Sequence, residues 1–340
     1  MKVFVYEHIT SGALINESLP VGLAHEGNEM LAAIVHDMTL LTDIELIILR
    51  DSRLEPLLDI INSSRHQCLV IDDYSAFKHH YASSVNKADA VLIIAPETDG
   101  LLQNLQQSVL NHNTQLLGCH PMATQLCTDK VNCHQQLIAN NVLTPHTITA
   151  NEWLLKPFNS PSGFIVKPRD GAGCIDTLFF AKDSAVNAWL KSNSIELEQI
   201  LIQPFIEGNG ISLSVLIDQQ ASRVFAINQQ YIKLDNGQLS FHGCYVNGIA
   251  ESQFSLIQAT QIAQKTHLAI PGLWGFIGID LIVTDNEAYV VDINPRLTTA
   301  YVGLHQSLKL NPIHLLMTMM DQGLSALPYN TQRNAIEIII

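Results

Sequence analysis

Five short apolar runs dominate the first third of this 340-residue chain: KVFVYE, IELIILR, QCLVID, ADAVLIIAPE and TQLLGCH. Each is long enough for one strand, and the first four carry β-branched residues. NEMLAAIVHDMTLL lies between the first and second, and GLLQNLQQSVLNHN between the fourth and fifth, both with apolar residues at helical spacing. Strands that alternate with helices pair through crossover connections, which builds a parallel sheet inside an α/β layer. The predicted fold class at this end is therefore α/β, and the domain closes near residue 120.

Beyond residue 121 the pattern changes. MATQLCTDKVNCHQQLIANN reads as one helical stretch closed by NVLTP, and GFIVKPRDGAG as a strand running into a glycine turn. DSAVNAWLKSN is helical, QILIQPFIEGNG enters a second glycine-bearing turn, and ISLSVLID and RVFAINQQYIKL continue as strands. After the helix FSLIQATQIAQKTHLAI, GFIGIDLIV and AYVVDIN form a hairpin, followed by the helix NPIHLLMTMMDQ and the strand AIEIII.

With 47% hydrophobic and 15% charged residues, the composition suits a compact globular enzyme and argues against disorder. A net charge of −14 repels polyanions, so neither nucleic acid nor an anionic membrane is an expected partner. The six cysteines form no CxxC pair, and Cys119, Cys127, Cys133 and His134 lack zinc-finger spacing. Reduced thiols, no h-region at the start and no apolar run of about 20 residues make a soluble, cytoplasmic protein the expectation.

The hairpin carries the chemistry. In GIDLIV-TDNEA-YVVDIN the polar turn is centred on Asn286, so symmetric pairing sets position i opposite 572 − i and Asp280 directly opposite Asp292. Like charges facing each other across a sheet are destabilising, more so among apolar neighbours. Strand alternation also puts Asp292, Asn294 and Arg296 on one face. Two carboxylates and an amide carbonyl are hard oxygen ligands, so a divalent cation such as Mg²⁺ is the simplest neutraliser. So few ligands leave positions open for water or nucleotide phosphates. Polar residues facing water at a hairpin end would explain any one of these side chains, but not the four together.

A magnesium–phosphate site needs lysines and a turn with available amides. Lys167 ends the strand Phe164-Ile165-Val166 and runs into PRDGAGC, where Gly171 and Gly173 let backbone amides converge on phosphate oxygens. The loop matches neither GxxxxGK[ST] nor GxGxxG. Lys130 falls early in a predicted helix, where an exposed lysine is the bland interpretation.

Taken in order, these pieces resemble the ATP-grasp superfamily of carboxylate–amine ligases, from about Lys130 to Arg296. The resemblance implies an α+β fold. An N-terminal Rossmann-like parallel domain (residues 1–120) precedes two ATP-grasp subdomains that sandwich the nucleotide, a lid (121–205) and a C-terminal subdomain with the metal site (206–330). TDK at 128–130 resembles the first nucleotide-binding lysine, and IVKPRDGAG the second, Lys167, with its phosphate loop. ILIQPFIEG resembles the hinge strand, with the backbone of Pro204, Phe205 and Ile206 at adenine and Gln203 facing the base. GID at 278–280 and VDINPR at 291–296 resemble the two metal-binding strands, which implies Asp280, Asp292 and Asn294 as ligands of Mg²⁺, with Mn²⁺ as a substitute. One position departs. The family's ribose-binding glutamate falls on Gly210, leaving Glu207 or Asn209 for that contact. More narrowly, YEHITSG, HEGNEML, APETDG and INQQYI resemble segments of the tyramine–glutamate ligases of methanofuran biosynthesis.

The implied reaction is amide formation through an acylphosphate. A carboxylate resists amines at neutral pH because oxide is an impossible leaving group, and phosphorylation by ATP supplies one that departs. In that scheme Lys130 and Lys167 contact phosphates, Arg296 steadies the transferring group, and the loop at 169–174 closes as a lid. The expected substrates are the glutamate γ-carboxylate and tyramine or a related amine, with a homodimer as a candidate assembly. The alternatives are a dipeptide, D-amino-acid or glutamyl-chain ligase, or a non-catalytic nucleotide binder. Glu7, Arg169, Arg223 and Lys233 are the candidates for substrate contact, set against ordinary roles at the surface and, for Glu7, in a solvated turn.

Overall fold

The computed structural model describes residues 1–57, 64–171, 173–194, 196–329 and 332–340. Strands β1 (Lys2–Glu7), β2 (Glu45–Asp51), β3 (Gln67–Ile71), β4 (Ala90–Ile94) and β5 (Gln115–Leu116) form a parallel sheet in the order β3-β2-β1-β4-β5. The two helices read from apolar spacing are present, at Val21–Thr39 and Leu101–Asn111. A further helix, Tyr74–Lys87, buries only Ser84 and Val85, so its sequence carried little apolar signal; Asp73 caps it by accepting from Ala76 N. The strand order turns about β1, so the carboxyl ends of β1 and β4 flank the crevice where such sheets place their ligands. Glu7 ends β1, and Glu97 follows β4 by three residues.

The second sheet is antiparallel. Its strands are β6 (Ile148–Thr149), β7 (Phe164–Pro168), β8 (Leu178–Phe180), β9 (Ile200–Pro204), β10 (Asn209–Ile217), β11 (Ser222–Asp235), β12 (Gln238–Val246), β13 (Gly275–Val283), β14 (Ala288–Asn294) and β15 (Ile336–Ile339). Among the described residues the order is β14-β13-β10-β11-β12-β8-β7-β9-β6, with β15 also paired to β12. β8 and β12 share a single register pair, Gln238 with Leu178.

Alternation gives the β10-β11-β13-β14 face two fates. Ile211, Leu213, Ile277, Ile279, Leu281, Val290 and Ile293 pack against the helices Pro121–Thr128, Lys130–Ala139 and Leu256–Ala269. On the other face, Leu216, Phe225 and Phe276 join Leu31, Ile34, Tyr301, Leu304 and Leu316 in a core shared with the parallel sheet's helix Val21–Thr39. β7, β8 and β9 have a smaller core of their own around Trp153, Phe164, Val166, Val186 and Ile202.

Two expectations need correction. The single helix predicted after residue 121 is two, broken at Asp129, whose extended ψ of 92° ends one and caps the next. The hairpin is not symmetric about Asn286: Leu281 faces Val290 and Val283 faces Ala288, and a bulge then restores Asp280 opposite Asp292. Among the described residues no helix is long and apolar enough to cross a membrane, and all six cysteines are free.

Candidate active site

β13 and β14 deliver the acidic centre. Asp280 sits opposite Asp292, and Asn294 opposite Gly278, all on the face away from the buried Ile279 and Ile293. Both Asp280 oxygens accept amide hydrogens, Oδ1 from Gln230 Nε2 and Oδ2 from Asn294 Nδ2, each at 3.0 Å. Burial, and then the Asp292 charge, push the Asp280 carboxyl up to about 7 against those bonds. The neighbouring floor is polar too: Ser212 pairs with Asp280, and Asn228 donates to Ser212 Oγ at 3.2 Å and Ser214 Oγ at 3.0 Å.

Two lysines approach this centre. Lys130 opens its helix because Asp129 caps it, accepting from Val131 N and Asn132 N at 3.2 Å. It is 6% exposed rather than a surface residue. Its Nζ lies 3.5 Å from Asp292 Oδ2 and donates to the Gly171 carbonyl. Burial disfavours its charge, but Asp292 and Glu97 outweigh that and raise its pKa. Lys167, from β7, donates to the Val291 carbonyl at 3.4 Å. Burial lowers it to about 8, Asp292 pulling it up and Lys130 pushing it down.

Arg296 closes the far side through a residue that sequence reasoning missed. Its Nε lies 2.8 Å from Glu97 Oε1, and its Nη2 donates to Glu97 Oε2 at 3.1 Å. Asp99, in the same turn, donates its amide to Asp170 Oδ2 at 2.8 Å, so the turn after β4 touches both the arginine and the loop that follows Lys167. The available signal for Glu97 was its place just past the carboxyl end of a switch-point strand. For Ser212, Asn228 and Gln230 it was the polar alternation within ISLSVLID and AINQQYI.

The remaining candidates are distributed unevenly. Gly173 lies at φ +66°, a left-handed conformation that favours glycine; Gly171 does not, and residue 172 of the expected lid loop lies outside the described residues. The Gln203 amide is 3% exposed and donates to Thr147 Oγ1 at 2.7 Å, inside a buried network with His134. Phe205 N is taken by the Gly163 carbonyl, Pro204 and Ile206 are half-buried beside it, and Glu207 is exposed. Gly208 is required there, since a Cβ would come within 2.7 Å of the Val283 carbonyl.

The substrate candidates change most. Arg169 is committed to Asp129 through two bonds of 2.9 and 2.6 Å, which fill the edge a substrate carboxylate would need. Arg223 bonds the Leu327 and Pro328 carbonyls, and Lys233 is exposed on β11. Glu7 is no solvated turn residue: it is 3% exposed and accepts from Ile9 N and Thr10 N.

Among the described residues no three His, Cys, Asp or Glu side chains gather as a metal cluster, so the acidic centre offers two carboxylates and one amide. That set is too small to cage a metal by itself. It fits a hard cation that brings water and phosphate ligands with it, as Mg²⁺ does.

The chain is similar to known proteins. An ATP-grasp domain model matches residues 127–300, and a pre ATP-grasp domain model matches residues 44–124. The chain is 30% identical over 218 residues to tyramine–L-glutamate ligase of Methanocaldococcus fervens, covering 64% of this chain and 62% of that one. It is 29% identical over 224 residues to the ligase of the same name from Methanocaldococcus jannaschii, covering 66% and 59%. The matches thus span about three-fifths of the length of these curated relatives. A solved structure assigned to the ATP-grasp superfamily, from Archaeoglobus fulgidus, superposes with a TM-score of 0.68 at 22% identity over 100% of this chain and 99% of that one.

Proposed function

The chain belongs to the ATP-grasp family, and on that premise we propose an ATP- and Mg²⁺-dependent ligase that joins a carboxylate to an amine through an acylphosphate. The observation that carries the proposal is the Asp280–Asp292 pair, held face to face by strand register with Lys130, Lys167 and Arg296 around it. A protein that gained nothing from the pair would have no reason to keep two carboxylates at that cost.

In this proposal Asp280, Asp292 and Asn294 would hold Mg²⁺, and Mn²⁺ in its place. Mg²⁺ with ATP supplies an electrophilic phosphoryl group and neutralises its charge. Lys130 and Lys167 bind phosphate oxygens, with the backbone at Gly171 and Gly173 beside them. Pro204, Phe205, Ile206 and Glu207 line the adenosine end, below the buried Gln203. Arg296 binds the oxygens of the carboxylate being activated or of its phosphate, oriented by Glu97. Glu7 lines the substrate crevice at the carboxyl end of β1.

For the substrates we propose the glutamate γ-carboxylate and tyramine or a related amine, on the names of the two relatives. Incubation with Mg-ATP and glutamate, tyramine, or both tests this directly. Release of ADP and phosphate only with both, and a product of the mass of the amide, is the expected result. ATP binding without turnover across a panel of amino acids and amines would favour the non-catalytic alternative. Gly210 motivates that alternative, since a Cβ there would meet only Ile232 at 3.4 Å and Gln230 at 3.6 Å, so space does not exclude a side chain.

A further inference from the structure

Val291 is the extra residue of the β14 bulge. Val290 faces Leu281, Asp292 faces Asp280, and Val291 faces nothing on β13. A bulge re-aims its neighbours and takes its own backbone out of the ladder, so its carbonyl needs partners elsewhere. Val291 O has two: Lys167 Nζ at 3.4 Å and His134 Nε2 at 3.3 Å. His134 comes from the helix Lys130–Ala139 and is 2% exposed.

Both ring nitrogens have partners. His134 Nδ1 lies 2.8 Å from Thr144 Oγ1 and 2.7 Å from Thr147 Oγ1. Thr147 gives its hydroxyl hydrogen to the Pro145 carbonyl at 2.9 Å and accepts from Gln203 Nε2 at 2.7 Å. Val291 O can only accept, so a hydrogen on Nε2 is what lets the ring bond it, and in that tautomer Nδ1 accepts from Thr144 Oγ1. Burial, and then the Lys167 charge, lower the ring to about 4, which keeps it neutral near pH 7.

We infer that His134 is a positioning residue for the divalent-cation site: its Nε2–H pins the Val291 carbonyl, and the pinned bulge turns Asp292 towards Asp280. The inference rests on the reading of Asp280, Asp292 and Asn294 as the cation's ligands. A ring that only filled space would be replaced without loss by an apolar side chain of similar size.

Mn²⁺ binding to the full chain, followed by water-proton relaxation with a non-hydrolysable ATP analogue present, separates these roles. Thermal melting in EDTA reports folding alongside. His134→Leu should bind Mn²⁺ about 10-fold more weakly, the lower end of what losing support behind a ligand costs. His134→Gln should keep most of the affinity, because its amide nitrogen can reach the same carbonyl while its oxygen faces Thr144. Wild-type affinity in His134→Leu, or equal losses in the two variants, would overturn the inference. If His134→Leu does not fold, Thr144→Val, which removes the hydroxyl that sets the tautomer, should show the same weakening; unchanged affinity there also overturns it. Wild-type chain that binds no Mn²⁺ would instead overturn the cation site itself, and the role of His134 with it.

Discussion

At Asp280, burial, charge and proposed function pull in different directions. An unfolded aspartate titrates near ~3.9, whereas this one is held up to about 7 by burial and by Asp292. Between those values the folded chain keeps a proton that the unfolded chain has released. Stability therefore falls as pH rises from about 4, and the whole penalty is present above about 7. Asp280→Asn removes it, and either amide neighbour, Gln230 or Asn294, can turn over to present its oxygen to the new amide. In EDTA at pH 8 the variant should be more stable by roughly 1–3 kcal/mol, the usual scale for relieving a poorly compensated buried group. The advantage should shrink steadily on acidification below pH 7. Urea denaturation at several pH values measures both, and a variant less stable than wild type at pH 8 would show that the carboxylate is not strained. The same substitution should abolish turnover, because stability gained here is taken from the proposed metal site.

Among the elements, the break at Asp129 decides where Lys130 points. Its carboxylate caps the helix Lys130–Ala139 and is also gripped by Arg169, which directly follows the strand that carries Lys167. Asp129→Ala should cost about 1–2 kcal/mol in urea denaturation for the lost cap. It should also weaken ATP binding about tenfold, equivalent to roughly 1.4 kcal/mol of lost positioning. Asp129→Asn keeps the cap, and its stability should fall between the two; identical behaviour of Ala and wild type would count against the element's role. The break is hidden in the sequence because apolar spacing continues through residues 121–139, and the arginine that holds the Asp129 carboxylate lies 40 residues away. The hairpin was legible for the opposite reason. Both arms and the turn lie in one contiguous run, so Asp280 and Asp292 could be set face to face from spacing alone. Even there the pairing came out right although the turn was placed half a residue off, because the bulge at Val291 compensates. Glu97, Gln230 and His134 left no comparable trace, since each reaches the site from a distant segment; Glu97 lies 199 residues from Arg296.

Across the whole molecule, the two sheets are not equally joined. The β10-β13 region shares a large apolar core with the parallel sheet, through Leu216, Phe225, Phe276 and the helix Val21–Thr39. The β7-β8-β9 region packs on its own small core around Trp153 and Phe164 and meets β12 at one register pair. Among the described residues polar contacts tie it down as well, including Lys167 to Val291, Arg169 to Asp129, and Gln203 to Thr147 and His134. Apolar burial resists opening in proportion to area, whereas polar contacts can exchange for water at little net cost. The region that carries Lys167 and the glycine loop after it should therefore open against the rest at lower free energy than the molecule unfolds. Hydrogen exchange reads this directly. In the free chain the amides of 164–168, 178–180 and 200–204 should exchange faster than those of 211–217 and 276–283. Mg²⁺ with a non-hydrolysable ATP analogue should slow the first group selectively, because a nucleotide held between Lys167 and Asp292 as proposed would add the contact that the open form lacks. Uniform exchange in the free chain, or equal protection of both groups by nucleotide, would show instead that the molecule behaves as one rigid body and that access to the site does not depend on this region moving.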